Sequence, residues 1–248
     1  MSDRVFIVSD DLGLDISVND GILLALKEGS INGASLMANG KEFSDAIQKI
    51  KELKNPNIGV HFVLVEEKGL VLEKLWKDHK VFFIKYILGL IKWGDIEREM
   101  CAQLSRCLES GVRPVFLNSH QHLHLLPKIM DITIKLAKEN NIGYIRTVSE
   151  PFGLKGGLFR GLESVFMALL SKIAKTKIDK AGLKTNDIFV GFLHAGNLQE
   201  EDLILANKLA DRDRNKTVEI GCHLGLENEE LRKKHKNWGN YNWEKELK

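Results

Sequence analysis

Two adjacent carboxylates, Asp10 and Asp11, follow the apolar run Val5–Ser9, and three histidines, His120, His122 and His124, crowd into five residues behind another apolar run. Like charges this close repel. The aspartate pair needs a divalent cation, a shared proton or a nearby arginine to be stable. A solvated turn would also use aspartate. A lone histidine is more often packed or exposed than a ligand, but three in SHQHLH, with distant Asp and His partners, favour a metal site. If the run is extended, His120, His122 and His124 share one face. If it is helical, His120 and His124 are neighbours at i, i+4. Local spacing leaves open which of the three binds. Imidazole and carboxylate ligands suit one divalent ion, Zn2+ or another first-row metal, or Mg2+ where carboxylate and water dominate. A carboxylate left outside the ligand set could accept a proton from water, which gives the two aspartates different jobs. His223, late in the chain, is placed to protonate a leaving group.

Short apolar runs alternate with helical patterns along the chain, the signature of a parallel α/β fold. Strands are expected at 5–9, 33–40, 58–62, 115–119, 143–148 (with Arg146), 187–194 and 217–223. Helices are expected at 19–28, 41–54, 95–110, 127–140, 154–175 and 199–211. About seven parallel strands make an irregular (β/α) barrel the expected fold. No linker divides residues 1–248, so a single domain is expected. Asp10, Asp11, His61, His120, His194 and His223 all fall at expected strand C-termini, which share one face in such a barrel. Residues 66–94, with Trp76, Phe82, Phe83, Tyr86 and Trp93, are the least regular. They read as an insertion packing over the fold or a lid facing substrate.

The chain of 248 residues is 44% hydrophobic, enough for a sizeable core, and its net charge of +2 implies no nucleic-acid partner. Cys101, Cys107 and Cys222 have no paired spacing and read as reduced thiols. MSDRVFIVSDD runs into the first strand without an apolar leader, so a cytoplasmic location is expected. Two apolar and basic stretches, 82–94 and 157–175, invite an interfacial or lipid-linked reading. Ordinary barrel helices burying one face are preferred over membrane contact.

VSDDLGLDISVNDGI, GASLMANG, IGVHF, NSHQHLHLLP, IRTVSEP and EIGCHLG, spread in order over almost the whole chain, resemble the YdjC-like carbohydrate deacetylases. That family includes chitooligosaccharide and hopanoid-biosynthesis-associated deacetylases. The resemblance implies a polysaccharide-deacetylase-like irregular barrel that hydrolyses an N-acetyl group on a sugar and releases acetate. By resemblance, Asp10 is the general base, and Asp11, His61 and His120 hold the metal. His223 is the general acid, and Arg146 belongs to the charge network around the base. His122 and His124 line the substrate groove or brace the ligands. The chain departs from the family pattern at Asn118, where aspartate is usual, and at Leu224, where proline is usual. The first departure is expected to alter metal binding or a histidine tautomer, the second to loosen the turn that poses His223. A homodimer is expected. Two other readings compete: a catalytically weak sugar-binding or regulatory protein on the same fold, and a metal-dependent hydrolase of another amide or a phosphoester.

Overall fold

β1 (Val5–Leu12) lies inside the sheet, buried except at Phe6 and apolar as far as Val8, as a strand with neighbours on each side is expected to be, before the polar Ser9, Asp10 and Asp11. The computed structural model describes residues 4–151, 157–226, 228–235 and 241–246. Among these, β1 pairs in parallel with β2 (Gly33–Leu36) on one side and β7 (Val218–Cys222) on the other. β3 (Ile58–Phe62), β4 (Phe116–Ser119) and β5 (Tyr144–Ile145) extend the sheet beyond β2, and β6 (Ile188–Val190) lies outside β7. The order is β5-β4-β3-β2-β1-β7-β6, and every pairing is parallel.

The two edges meet through an irregular seam. Asn186 Oδ1 accepts from Thr147 N at 2.8 Å while its Nδ2 donates to Thr147 O at 2.8 Å. Ile145 N donates to Lys184 O at 3.0 Å, and Phe189 N to Ser149 O at 3.0 Å. A side-chain amide thus does what a strand ladder does elsewhere, which closes the barrel without a regular eighth strand. The irregular (β/α) barrel expected from the alternation is present, with seven strands.

The helices are α1 (Ile16–Glu28), α2 (Phe43–Ile50), α3 (His79–Ile87), α4 (Trp93–Glu109), α5 (Pro127–Glu139), α6 (Gly157–Lys180), α7 (Glu200–Arg212) and α8 (Glu229–Lys234). α1 starts three residues earlier than its apolar spacing predicts. The Asp15 side chain caps it by accepting from Ser17 N at 2.9 Å, and Gly29 ends it in the left-handed region at φ 73°. The expected start of α6 at Leu154 lies outside the described residues. Strand six is shorter than its apolar run suggests. It ends at Val190, so His194 is not at a strand terminus, and its Nδ1 is held by Asp202 at 2.8 Å. The run misled because Phe192 and Leu193 are apolar for loop packing, not for a ladder.

β1 does not end as a plain strand. Its register against β2 shifts between Ser9 and Leu12, and Asp11 adopts φ 66°. A regular strand would send Asp10 and Asp11 to opposite faces. The bulge turns both inward, at the end of the strand where the site forms. Gly13, at φ 100°, then takes the chain out of β1, and its N–H donates to Asn19 Oδ1 at 2.7 Å.

The seam is a stability determinant. Asn186→Ala leaves the Thr147 N–H and C=O buried without these partners, and a loss of about 2–4 kcal/mol is expected in urea denaturation. A loss below about 0.5 kcal/mol would mean that the seam closes without this amide.

Candidate functional site

The bulged end of β1 gives its two carboxylates different surroundings. Asp10 Oδ2 accepts from Arg146 Nη1 at 2.5 Å, and its Oδ1 accepts from Ser35 Oγ at 2.6 Å and Asn118 Nδ2 at 3.1 Å. Burial by itself would raise its pKa, but the charge of Arg146 overcomes this and holds the carboxyl well below the usual carboxylate range. Asp11 faces histidines instead. Its Oδ1 lies 3.3 Å from His61 Nε2 and 3.1 Å from His120 Nδ1, while Oδ2 is buried without a hydrogen-bond partner. Asp11 is likewise held ionised against its burial, by His120 and His61.

Asp11, His61 and His120 offer ligand atoms that all lie within 4.8 Å of one another. Two imidazoles and a carboxylate, with one carboxylate oxygen left unpaired in the interior, are a donor set that fits a divalent cation. The tautomer of His61 agrees. Asn118 donates from Nδ2 to Asp10, so its Oδ1 faces His61 and accepts from Nδ1 at 2.7 Å. Nε2, 3.3 Å from Asp11 Oδ1, is then the nitrogen left for a cation placed between the two groups. Asn118 therefore holds His61 in the form a metal requires, and adds no further charge beside Asp10. Glu66, in the loop after β3, faces the far nitrogen of His120: its Oε2 lies 3.1 Å from Nε2. Burial would lower the pKa of His120, but Asp11 and Glu66 push it up to about 10, so without a cation a proton occupies this ring.

The histidine run is neither extended nor a regular helix. Residues His120–Leu125 form a tight 3-10 turn in which Gln121 and His122 both take φ 53°. The left-handed pair sends the three rings to three places. His120 reaches Asp11. His122 lies against Phe189 and Phe192 and lines the cavity, with its Nδ1 buried and unbonded. His124 turns back: Nε2 donates to Arg146 O at 3.0 Å, and Nδ1 accepts from Ser119 Oγ at 2.8 Å. It supports the strand ends and does not line the cavity.

Arg146 follows β5 directly and is fully buried. Its Nε donates to Glu219 Oε1 at 2.5 Å, and Tyr144 donates to Glu219 Oε2 at 2.6 Å. His223 follows β7, the strand paired with β1, and burial lowers its pKa against the pull of Asp11 and Asp10. Its backbone N–H donates to Glu246, a buried carboxyl whose pKa burial pushes up to about 8, and its ring packs 5.0 Å from Tyr241. The next residue, Leu224, donates its N–H to Ser9 Oγ at 3.1 Å, a bond that proline could not make. The turn is therefore pinned and not loosened.

Asp10, His61, His120, His122 and His223 form the floor of a 370 Å³ cavity. Phe83 and Ile84 of α3, with Phe166 and Met167 of α6, form an apolar wall, so the irregular 66–94 region does face the site. Sequence reasoning missed Ser35, Glu66, Glu219, Tyr241 and Glu246. Glu219 alone carried a signal, as a charge inside an apolar strand. The others act through backbone placement that spacing does not reveal.

Two outcomes follow from this geometry. Glu66→Gln is expected to weaken divalent-metal affinity about 10- to 100-fold by calorimetry; unchanged affinity would remove Glu66 from the support of His120. His124, neutral in the fold with its pKa depressed from 6.5 to about 3, is protonated first in the unfolded chain as pH falls. Its contribution to stability is thus full above pH 6.5 and lost progressively down to about pH 3. Thermal midpoints of the wild type should fall faster over that window than those of His124→Gln.

The family model described as YdjC-like protein matches residues 4–248. A carbohydrate deacetylase from Geobacillus stearothermophilus is 34% identical over 132 residues, which cover 52% of this chain and 54% of that protein. One from Clostridium beijerinckii is 28% identical over 152 residues, covering 59% and 62%. The matched region thus spans little more than half the length of these curated relatives. A crystal structure of an Enterococcus faecalis protein, described as a candidate for cellobiose-phosphate cleavage, superposes with a TM-score of 0.73. It is 18% identical, over 96% of this chain and 85% of that one, a likeness in fold. With the family model matched across the barrel and every strand end that builds the site, the chain belongs to the YdjC-like protein family.

Proposed function

We propose that the protein is a metal-dependent hydrolase that removes the acetyl group from an N-acetylated carbohydrate. The observation that carries this reading is the division of labour at the end of β1. One carboxylate belongs to a cation-type cluster, and its neighbour, ionised and bonded to Arg146, faces the same cavity. The curated deacetylases that share part of this sequence support the choice of a carbohydrate amide.

Asp11, His61 and His120 would hold the divalent ion, which supplies Lewis acidity and lowers the pKa of water. Asp10 is ionised and accepts the proton that a water loses as its oxygen bonds to the acyl carbon. Arg146 and Glu219 keep Asp10 charged and fixed in direction, which matters because a strongly acidic carboxyl is a weak base and must be well placed to act. His223, which follows the neighbouring strand β7 and lines the same cavity, gives a proton to the sugar nitrogen as the C–N bond breaks. The products are acetate and the free amine. Burial lowers the pKa of the His223 ring, and the charges of Asp11 and Asp10 oppose that shift without reversing it. Tyr241 and Phe192 line the cavity beside this floor.

Acetate release tests this directly, across N-acetylglucosamine, di-N-acetylchitobiose, longer chitooligosaccharides and an acetylated glycolipid. Chelator-sensitive release from one class is expected. No release by metal-loaded protein from any of them would turn the reading toward another acyl group or a binding role. Asp10→Asn should keep its metal content and lose about 10²- to 10⁴-fold in kcat, and near-normal turnover would remove Asp10 from the role of base.

A further inference from the structure

The wall of the cavity continues onto the outside of the protein as an apolar surface. On α3 and just beyond it, Ile84, Ile87, Leu88 and Leu90 are exposed, Ile87 to 65%. On α6, Leu162, Val165, Phe166, Leu169 and Ile173 recur at helical spacing along one side and are exposed too, Leu169 to 57%. The two rows meet where the Phe83 and Phe166 rings touch, 5.5 Å between centroids, at residues that also line the cavity. Nine large apolar side chains around one opening are far more than the scattered exposure expected of a soluble surface.

The charge around them leans basic, although Lys175 is paired with Asp187 at 3.5 Å and Lys177 with Asp131 at 2.6 Å. Residues 79–94 contain Lys80, Lys85 and Lys92 and no acid; residues 160–180 contain Arg160 and four lysines against Glu163 and Asp179. With a net charge of only +2 for the whole chain, the remainder is net acidic. Lys80, Lys85, Lys92 and Lys172 have no ion-pair partner among the described residues. No helix among them is long and apolar enough to cross a membrane.

We infer that the α3–α6 face docks onto an anionic lipid bilayer, with its apolar side chains entering the interface, its lysines among the headgroups, and the cavity opening at the membrane surface. Apolar burial and attraction to anionic headgroups act together in such contacts. A second copy of the chain fits less well. A two-fold interface would set the same lysine-bearing patch against itself, with like charges opposed and no acids on these segments to relieve them beyond Glu163 and Asp179.

The test needs no turnover, so it stands apart from the proposed chemistry. Metal-loaded protein is sedimented with phosphatidylcholine vesicles, with and without phosphatidylglycerol, at low and physiological salt. Binding to the anionic vesicles is expected, weakened by salt. It should fall at least about tenfold in the double variant Ile87→Glu with Leu169→Glu, whose sites are exposed and do not line the cavity. A matching circular-dichroism melt confirms that this variant folds, and a double variant of Lys85→Gln and Lys172→Gln gives a second, milder readout. Absence of wild-type binding to anionic vesicles overturns the inference, as does binding that both variants leave unchanged. A wild-type dimer by light scattering that becomes monomer in the glutamate variant also overturns it, because the face would then belong to a second copy.

Discussion

A guanidinium removed from water between two carboxylates is the constraint on which the site depends. Arg146 is fully buried, so its charge would be costly without compensation. Asp10 and Glu219 supply that compensation from β1 and β7, which are neighbours in the sheet, while Arg146 itself comes from the far edge beyond β5. The ion pairs therefore cross the barrel interior. They place a bonded polar network in the barrel interior. Tyr144, Ser35 and Asn118 satisfy most of what remains, and this keeps the orientation of Asp10 fixed.

With Asp10 committed to Arg146, Asp11 must find its counter-charge elsewhere. The bulge in β1 makes this division geometric as well as electrostatic, because it brings two sequence neighbours to one face and aims them at different partners. Asp11 then meets imidazoles from the ends of β3 and β4, and a cation or the proton on His120 balances it. The same economy runs through the histidine run. A left-handed dipeptide lets His120 serve the cluster, His122 the cavity and His124 the backbone of Arg146.

The surroundings of the floor differ in character from the floor itself. Charged and hydrogen-bonded groups lie at the strand ends, while α3 and α6 contribute an apolar wall that extends to the surface. The C-terminal segment closes another side, where Tyr241 packs on His223 and Glu246 holds its backbone. Glu246 keeps its buried carboxyl by accepting the backbone N–H groups of Leu198 and His223, which ties these two loops together.

The sequence by itself determined the alternation of strands and helices, and with it the barrel, because burial on both faces forces apolar runs whatever the partner. It also placed Asp10, Asp11, His61, His120 and His223 at strand ends, since the side chains that leave a buried strand first are the ones free to be polar. Tertiary structure decided what those residues do to one another. The bulge, the left-handed turn at Gln121–His122 and the Asn186 seam arise from long-range pairing that no local pattern encodes. Asn118 and Leu224, which look like losses when read along the chain, hold His61 and Ser9 in space. His194 shows the reverse: an apolar run extended the expected strand to it, but the ladder ended at Val190 and an ion pair with Asp202 took it out of the site. Apolar periodicity reports burial, whereas the partner of a buried polar group is set by which strands meet, and only the folded chain brings them together.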